Sequence, residues 1–159
     1  MTQSKSYRQK LFIYYFSIFL LFMVIVLAFQ YHREKKIRIA ALNSRLSDMS
    51  ELVHNYIRAN ALADSGNFKL IDSIFSLIPI PDLRITVIAI DGKVLYDSSI
   101  EDWTKMVNHL SRPEVGKSLY SPYGTDVRKS ESTGKHYYYL SKYFNTYYIR
   151  LAEEYNINI

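Results

Sequence analysis

Asn108, His109 and Arg112 stand close together in one segment, and Arg128 and Ser130 follow in another whose alternation puts those two on one face and Lys129 on the other. An amide, an imidazole, two guanidinium groups and a hydroxyl are donors suited to an oxyanion. Converging, they would hold a carboxylate or a phosphate through charge-assisted hydrogen bonds. The same residues have a plainer use, in which His109 and Arg112 pin their loop by bonding backbone carbonyls. The residue types alone leave both uses open. His109 and His136 are spaced in a way that predicts no shared metal geometry, so no metal is expected.

Other chemistry finds little support. The chain has no Cys, which removes disulfides, thiolate metal sites and thiol nucleophiles. Gly134 and Lys135 mimic the end of a phosphate loop, but Lys129 stands where its first glycine belongs, and the pair falls in an expected hairpin. Ser, His and Asp occur without a nucleophile elbow or a spacing that would unite them. His54 is followed by Asn55 and Tyr56 rather than by an acidic residue, and the five glycines are scattered at turns. No catalytic group and no cofactor are therefore expected. Tyr137, Tyr138, Tyr139, Tyr147 and Tyr148 read as strand formers and core edges, not as a platform for a cofactor or a carbohydrate.

These residues have to be positioned by a chain that begins in a membrane. Leu11 to Phe29 is an uncharged run of 19 residues with Ser17 as its one small polar group. As a helix it is roughly 28 Å long, close to the hydrocarbon thickness of a bilayer. Lys10 and Arg33 bound it, because a cation at the bilayer centre would cost about 3 kcal/mol. A cleavable signal peptide is the competing reading, but the run is long for one and Ala28-Phe29-Gln30 is a poor cleavage site. Lys5, Arg8 and Lys10 before the run nearly balance Arg33, Lys35, Lys36 and Arg38 after it, so charge does not choose the orientation. Residues up to Ala63 carry a net +6 and the rest −1, which assigns the basic balance to the membrane flanks and leaves little for a nucleic-acid face.

From Lys36 to Leu62 nothing interrupts a helix, and Gly66 offers its stop. Ile39, Leu42, Leu46, Met49, Val53 and Tyr56 follow heptad spacing, with Leu52 and Ile57 widening the arc. This stripe either pairs with the same helix of a second subunit, making a homodimer, or packs on the chain's own sheet. If it is a subunit seam, Leu46→Asp should abolish signalling and leave the sheet folded. A short amphipathic segment, Phe68 to Leu77, ends at Pro79 and Pro81.

The period then changes. Arg84 to Ile90 is rich in Ile and Val on both faces and reads as an interior strand. Asp91 and Gly92 read as a two-residue hairpin turn with positive backbone angles at both positions, returning through Lys93 to Asp97. A loop with short helical patches fills Ser98 to Thr125. Strands follow over Val127 to Ser132, His136 to Tyr143 and Tyr147 to Ala152, with a turn at Thr133 and Gly134. The expected class is α+β: one transmembrane helix over 11–31, an amphipathic helix over 32–66, and a domain over 67–159 with a five-stranded antiparallel sheet and helices on both faces.

The stretches RITVIAIDGKVLYDSS, MVNHLSRPEV, YGTDVRKSESTGKHYYYLSKYF and YYIRLA, in that order, resemble the extracytoplasmic PAS-like (single Cache) sensor domain of PhoR-type sensor histidine kinases. The resemblance covers roughly Asp82 to Ile159, and the preceding span and long helix match the same layout. It implies a cytoplasmic tail over 1–10 and an extracytoplasmic segment over 32–159, in the bacterial cytoplasmic (inner) membrane. It also implies that the connection holding Asn108, His109 and Arg112 forms one wall of a sensing pocket. A second span and a cytoplasmic kinase are implied as well, and they do not occur before Ile159. The chain is then an amino-terminal part of a receptor, or lacks the output half.

The function so implied is signal sensing. A small molecule or a protein would bias two packings of the sheet on the Ile39 to Tyr56 helix, and helix movement would carry the change across the membrane. The expected partners are membrane lipid, a second copy, the unidentified signal and, only through the missing kinase, a response regulator, with no nucleic acid. The alternatives are an anchored dimerisation or assembly protein, or the input domain of a chemoreceptor or cyclase.

Overall fold

A computed structural model describes residues 6–75, 82–129 and 134–155. The chain is α+β and divides into two units, Met1–Leu42 and Asn43–Ile159. The first helix, α1, spans Tyr7–Ala59. Its amino-terminal part includes an apolar stretch long enough to cross a membrane, none of it buried. Within that stretch the Ser17 hydroxyl donates to the Ile13 carbonyl at 2.7 Å, so the one small polar group is satisfied inside the helix, as a lipid environment demands.

In the second unit α1 buries Leu46, Ser50, Val53 and Ile57. Their spacing of four, three and four puts them on one face of the helix, which lies on the sheet. Of the expected stripe, Leu46 and Val53 are core residues, Met49 and Tyr56 are half-buried beside them, and Ile39 and Leu42 belong to the first unit. Polar contacts lock the same surface. Lys142 Nζ meets Glu51 at 2.6 Å, Tyr138 donates to Asn43, and the His54 ring stacks on Phe144 at 4.1 Å with Nδ1 2.8 Å from the Tyr147 hydroxyl. One expectation is corrected here. Leu46 is fully buried in the chain's own core, so Leu46→Asp would put a carboxylate there and unfold the unit instead of sparing it.

The helix also ends earlier than Gly66. It stops at Ala59, and Ala61 takes a left-handed φ of 49° without being glycine. The break turns Leu62, the first residue of α2 (Leu62–Ser65), into the core. Gly66, at φ 69°, closes α2 instead. A 3-10 turn at Phe68–Leu70 leads into α3 (Ile71–Phe75), and the expected stops at Pro79 and Pro81 lie outside the described residues.

Five strands follow: β1 (Arg84–Ala89), β2 (Val94–Asp97), β3 (Gly124–Lys129), β4 (His136–Tyr143) and β5 (Tyr147–Glu154). All pairings are antiparallel in the order β2-β1-β5-β4-β3, so β5 is central and is buried on both faces from Tyr147 to Ala152. Strand β3 begins three residues before the expected Val127, because Gly124 already pairs with Ser141.

The β1-β2 turn differs in kind from the expected one. Gly92 alone has positive φ, at 87°, while Gly92 N donates to Ala89 O and Ala89 N to Lys93 O. That is a three-residue loop with glycine in the left-handed position. Asp91 contributes its carboxylate, which accepts from Lys93 N at 3.0 Å, and not a positive angle. Between β2 and β3 the chain forms a 3-10 turn at Trp103–Lys105 and the short helix α4 (Pro113–Ser118). The part of α1 from Asn43 covers one face of the sheet and α4 the other. Val115 of α4 packs there with Ile88 and Tyr148.

Candidate functional site

The α4 face of the sheet is polar where a core would ordinarily be apolar. Register aligns Asp97 of β2, Thr86 of β1, Arg150 of β5, Ser141 of β4 and Gly124 of β3 in one row, every member buried. Thr86 Oγ1 donates to Asp97 Oδ2 at 2.9 Å and accepts from Arg150 Nη2 at 3.1 Å. Arg84 Nε lies 3.0 Å from both Asp97 oxygens, and Ser99 N donates to Asp97 Oδ1. The buried carboxylate is thereby matched by a cation and three kinds of donor, the condition under which burial of a charge is tolerated.

At the far end of the row Gly124 lets α4 lie directly on β3, since a Cβ there would fall 2.0 Å from the Glu114 carbonyl oxygen. This close approach seats Glu114, fully buried, against Arg128. Its two oxygens accept from Nη1 at 2.7 Å and from Nη2 at 2.9 Å. Asp126 takes a further bond from Nη1 at 2.7 Å, and the guanidinium lies 3.9 Å over the Tyr139 ring. Arg150 approaches the same ring at 5.3 Å and the same Glu114 at 3.6 Å. Burial opposes ionisation of Glu114, but the hydrogen bond and charge of Arg128, with help from Arg150, hold its carboxyl below the usual range.

Between this face and the segment that precedes α4 lies a cavity of about 250 Å³. The sheet supplies Arg84, Arg128, Tyr139 and Arg150, and exposed Lys129 adds to the edge. The facing segment supplies His109 and Arg112 together with the apolar side chains of Ile100, Met106 and Val107. Among the described residues five cations line the space, and the three carboxylates paired with them, Asp97, Glu114 and Asp126, leave an excess of two positive charges.

His109 is buried, and its Nδ1 lies 2.7 Å from the Val107 carbonyl, which can only accept, so Nδ1 carries the proton and Nε2 of the neutral ring is an acceptor. Burial, reinforced by the charges of Arg150, Arg112 and Arg84 against the Val107 bond, pushes its pKa down to about 4. Arg150 is likewise pushed down to about 10, first by burial and then by Arg84 and Arg128, with Glu114 and Asp97 opposing.

Of the residues expected from the sequence, the structure brings His109, Arg112 and Arg128 to one cavity. Asn108 faces elsewhere: it donates to Asp91 O at 2.7 Å, accepts from Leu110 N at 2.8 Å and presses on Gly92, where a Cβ would meet its Oδ1 at 2.1 Å. Pinning the loop, the plainer use, therefore describes Asn108 and the Nδ1 side of His109. Arg112 bonds no carbonyl among the described residues. Ser130 lies outside them. Among the described residues no cluster of three metal-ligating side chains occurs, and His136 sits exposed at the start of β4. The sequence reading missed Arg84, Tyr139 and Arg150. For Arg150 there was a signal, a lone cation inside the apolar strand YYIRLA, where only a paired or functional charge belongs.

The arrangement can hold and orient an oxyanion. No protein-family model matches the chain, and no curated protein and no solved structure matches it.

Proposed function

We propose that the chain is a membrane-anchored sensory input domain. In this reading residues 32–159 are extracytoplasmic, the domain is of the PAS-like (single Cache) type, and it serves a PhoR-type sensor histidine kinase in a bacterial cytoplasmic membrane. The observation that carries the reading is the dual composition of α1. One helix, Tyr7–Ala59, includes a stretch apolar enough to span a bilayer and, from Leu46 to Ile57, a face buried in the core of the sheet-bearing unit. A ligand on the sheet that favours one of two packings would shift the helix by no more than its difference in affinity for the two. The basic cavity is the natural receptor in this scheme, and its presence weighs against an anchored assembly protein, which needs only a filled interior.

Two measurements test the reading. Alkaline phosphatase fused behind Ile159 should be active, whereas a fluorescent reporter bright on the cytosolic side of that junction would refute the topology. A chimera joining 1–159 through a second span to a histidine kinase core should change its autophosphorylation when Arg112 is replaced by Ala. A chimera indifferent to that change would refute the sensory role.

A further inference from the structure

We infer that the cavity is a receptor for a small organic anion, its oxyanion head seated by Arg112 and Arg150 and its short apolar stem on Ile100, Met106 and Val107. The inference deepens the sensory reading and rests on it for the ligand's meaning as a signal.

Four observations converge on it. Arg150 is 3% exposed, yet among the described residues it makes one hydrogen bond, to Thr86, and its buried Nε has no partner. A guanidinium has five donors, and leaving them unpaired out of water is costly, so the site is short of an acceptor. Glu114 does not make up the deficit, since at 3.6 Å from Nη1 it lies beyond hydrogen-bond reach and is already committed to Arg128 at 2.7 and 2.9 Å.

Arg112, half-buried at the N-cap position of α4, makes no ion pair or side-chain hydrogen bond among the described residues. Like exposed Lys129, it is a cation of the lining with no carboxylate partner among the described residues. Arg84 and Arg128, by contrast, are fixed by Asp97 and by Glu114 with Asp126, so they form a rigid surround. Among the described residues the cavity also carries an excess of two positive charges, which a dianion would neutralise.

Size and lining narrow the class. A partly open space of about 250 Å³ suits a small ligand or the head of a larger one. Inorganic phosphate shares the oxyanion chemistry but would leave Ile100, Met106 and Val107 facing water. A carboxylate on a short hydrocarbon stem covers both surfaces, so the carboxylate is favoured.

The full chain in lipid nanodiscs provides the test, by titration calorimetry with glutarate, butyrate, inorganic phosphate and the uncharged glutaramide. Glutarate should bind most tightly, phosphate about tenfold or more weakly, and glutaramide not measurably at about 10 mM. Arg112→Ala, at a half-buried and unpaired position, should weaken glutarate by about tenfold or more without altering the melting temperature. Met106→Ser should weaken glutarate and spare phosphate. The inference is overturned if neither carboxylate binds at about 10 mM, if Arg112→Ala binds as the wild type does, or if phosphate equals glutarate. Binding combined with an indifferent kinase chimera would spare the cavity and refute the sensory role. A responsive chimera without binding would refute the cavity alone.

Discussion

Glu114→Gln isolates the charge on which the α4 face depends. The side chain is fully buried, takes two hydrogen bonds from Arg128 and stands 3.6 Å from Arg150, whose side chain is 3% exposed. Glutamine keeps the volume and one acceptor but removes the negative charge, leaving Arg128 with Asp126 and Arg150 with none within reach. Breaking a buried pair by deleting one partner costs about 3–5 kcal/mol, and the retained acceptor places this change near the lower end, about 3 kcal/mol. For a unit of this size that corresponds to a fall in Tm of roughly 12 °C. Thermal unfolding of the full chain in nanodiscs, followed by near-UV circular dichroism of the tyrosines, would measure it.

The pH dependence supplies a second, independent check. The folded pKa of Glu114 is depressed, so its contribution is complete above the unfolded carboxyl pKa and is lost as pH falls through the folded value. The gap between wild type and Glu114→Gln should therefore be widest near neutrality and shrink below about pH 4. Glu51→Gln, which breaks an ion pair with Lys142 at a side chain 47% exposed, should cost less than about 1 kcal/mol. A Glu114→Gln variant that melts within a few degrees of wild type at neutral pH, or a gap that persists in acid, would refute the assignment of Glu114 as the shared anion of Arg128 and Arg150.

Three further outcomes follow from the same structure. His109 has a folded pKa of about 4, below its unfolded value, so the wild type should lose stability as pH falls from about 6.5 towards 4, by about 2 kcal/mol after solvent screening, and His109→Gln should lose less over that window; melting curves across the window decide it. Gly124→Ala should destabilise by about 3 kcal/mol, because its Cβ would lie 2.0 Å from backbone of α4, whereas Gly116→Ala, with open space and an ordinary φ inside that helix, should stabilise by about 0.5–1 kcal/mol; chemical denaturation of the two variants separates these signs. Because the chain has no Cys, Leu52→Cys places a unique thiol at a residue 41% exposed on α1, and it should cross-link in membranes if the helices pair, while Ser50→Cys, fully buried, should not; a non-reducing gel showing no Leu52→Cys dimer would count against the homodimer.

How much of this was legible in advance depends on the range of the interaction. The apolar run, the strand alternation and the position of the first hairpin could be read because each depends on neighbours a few residues away. The kind of turn at Asp91 and Gly92 could not, since it follows from how β2 pairs with β1 and from the seat of Asn108 on Gly92. The heptad stripe was correctly apolar and incompletely placed: the sheet selected Leu46, Ser50, Val53 and Ile57, rotating the buried face away from Met49 and Tyr56. A helix stop without glycine, at Ala59, was invisible because burial of Leu62 drives it.

By itself the sequence determined that an apolar helix precedes an α+β unit with five antiparallel strands, because transfer free energy and the 3.6- and 2-residue periods act on local segments. It also marked His109, Arg112 and Arg128 as groups able to meet an anion. Only the tertiary structure decided that they meet Arg84, Tyr139 and Arg150, and that Asn108 does not join them. Those side chains come from four different strands and a loop, and cross-strand register, set by the pairing of whole strands and by the close approach that Gly124 permits, is what makes them neighbours.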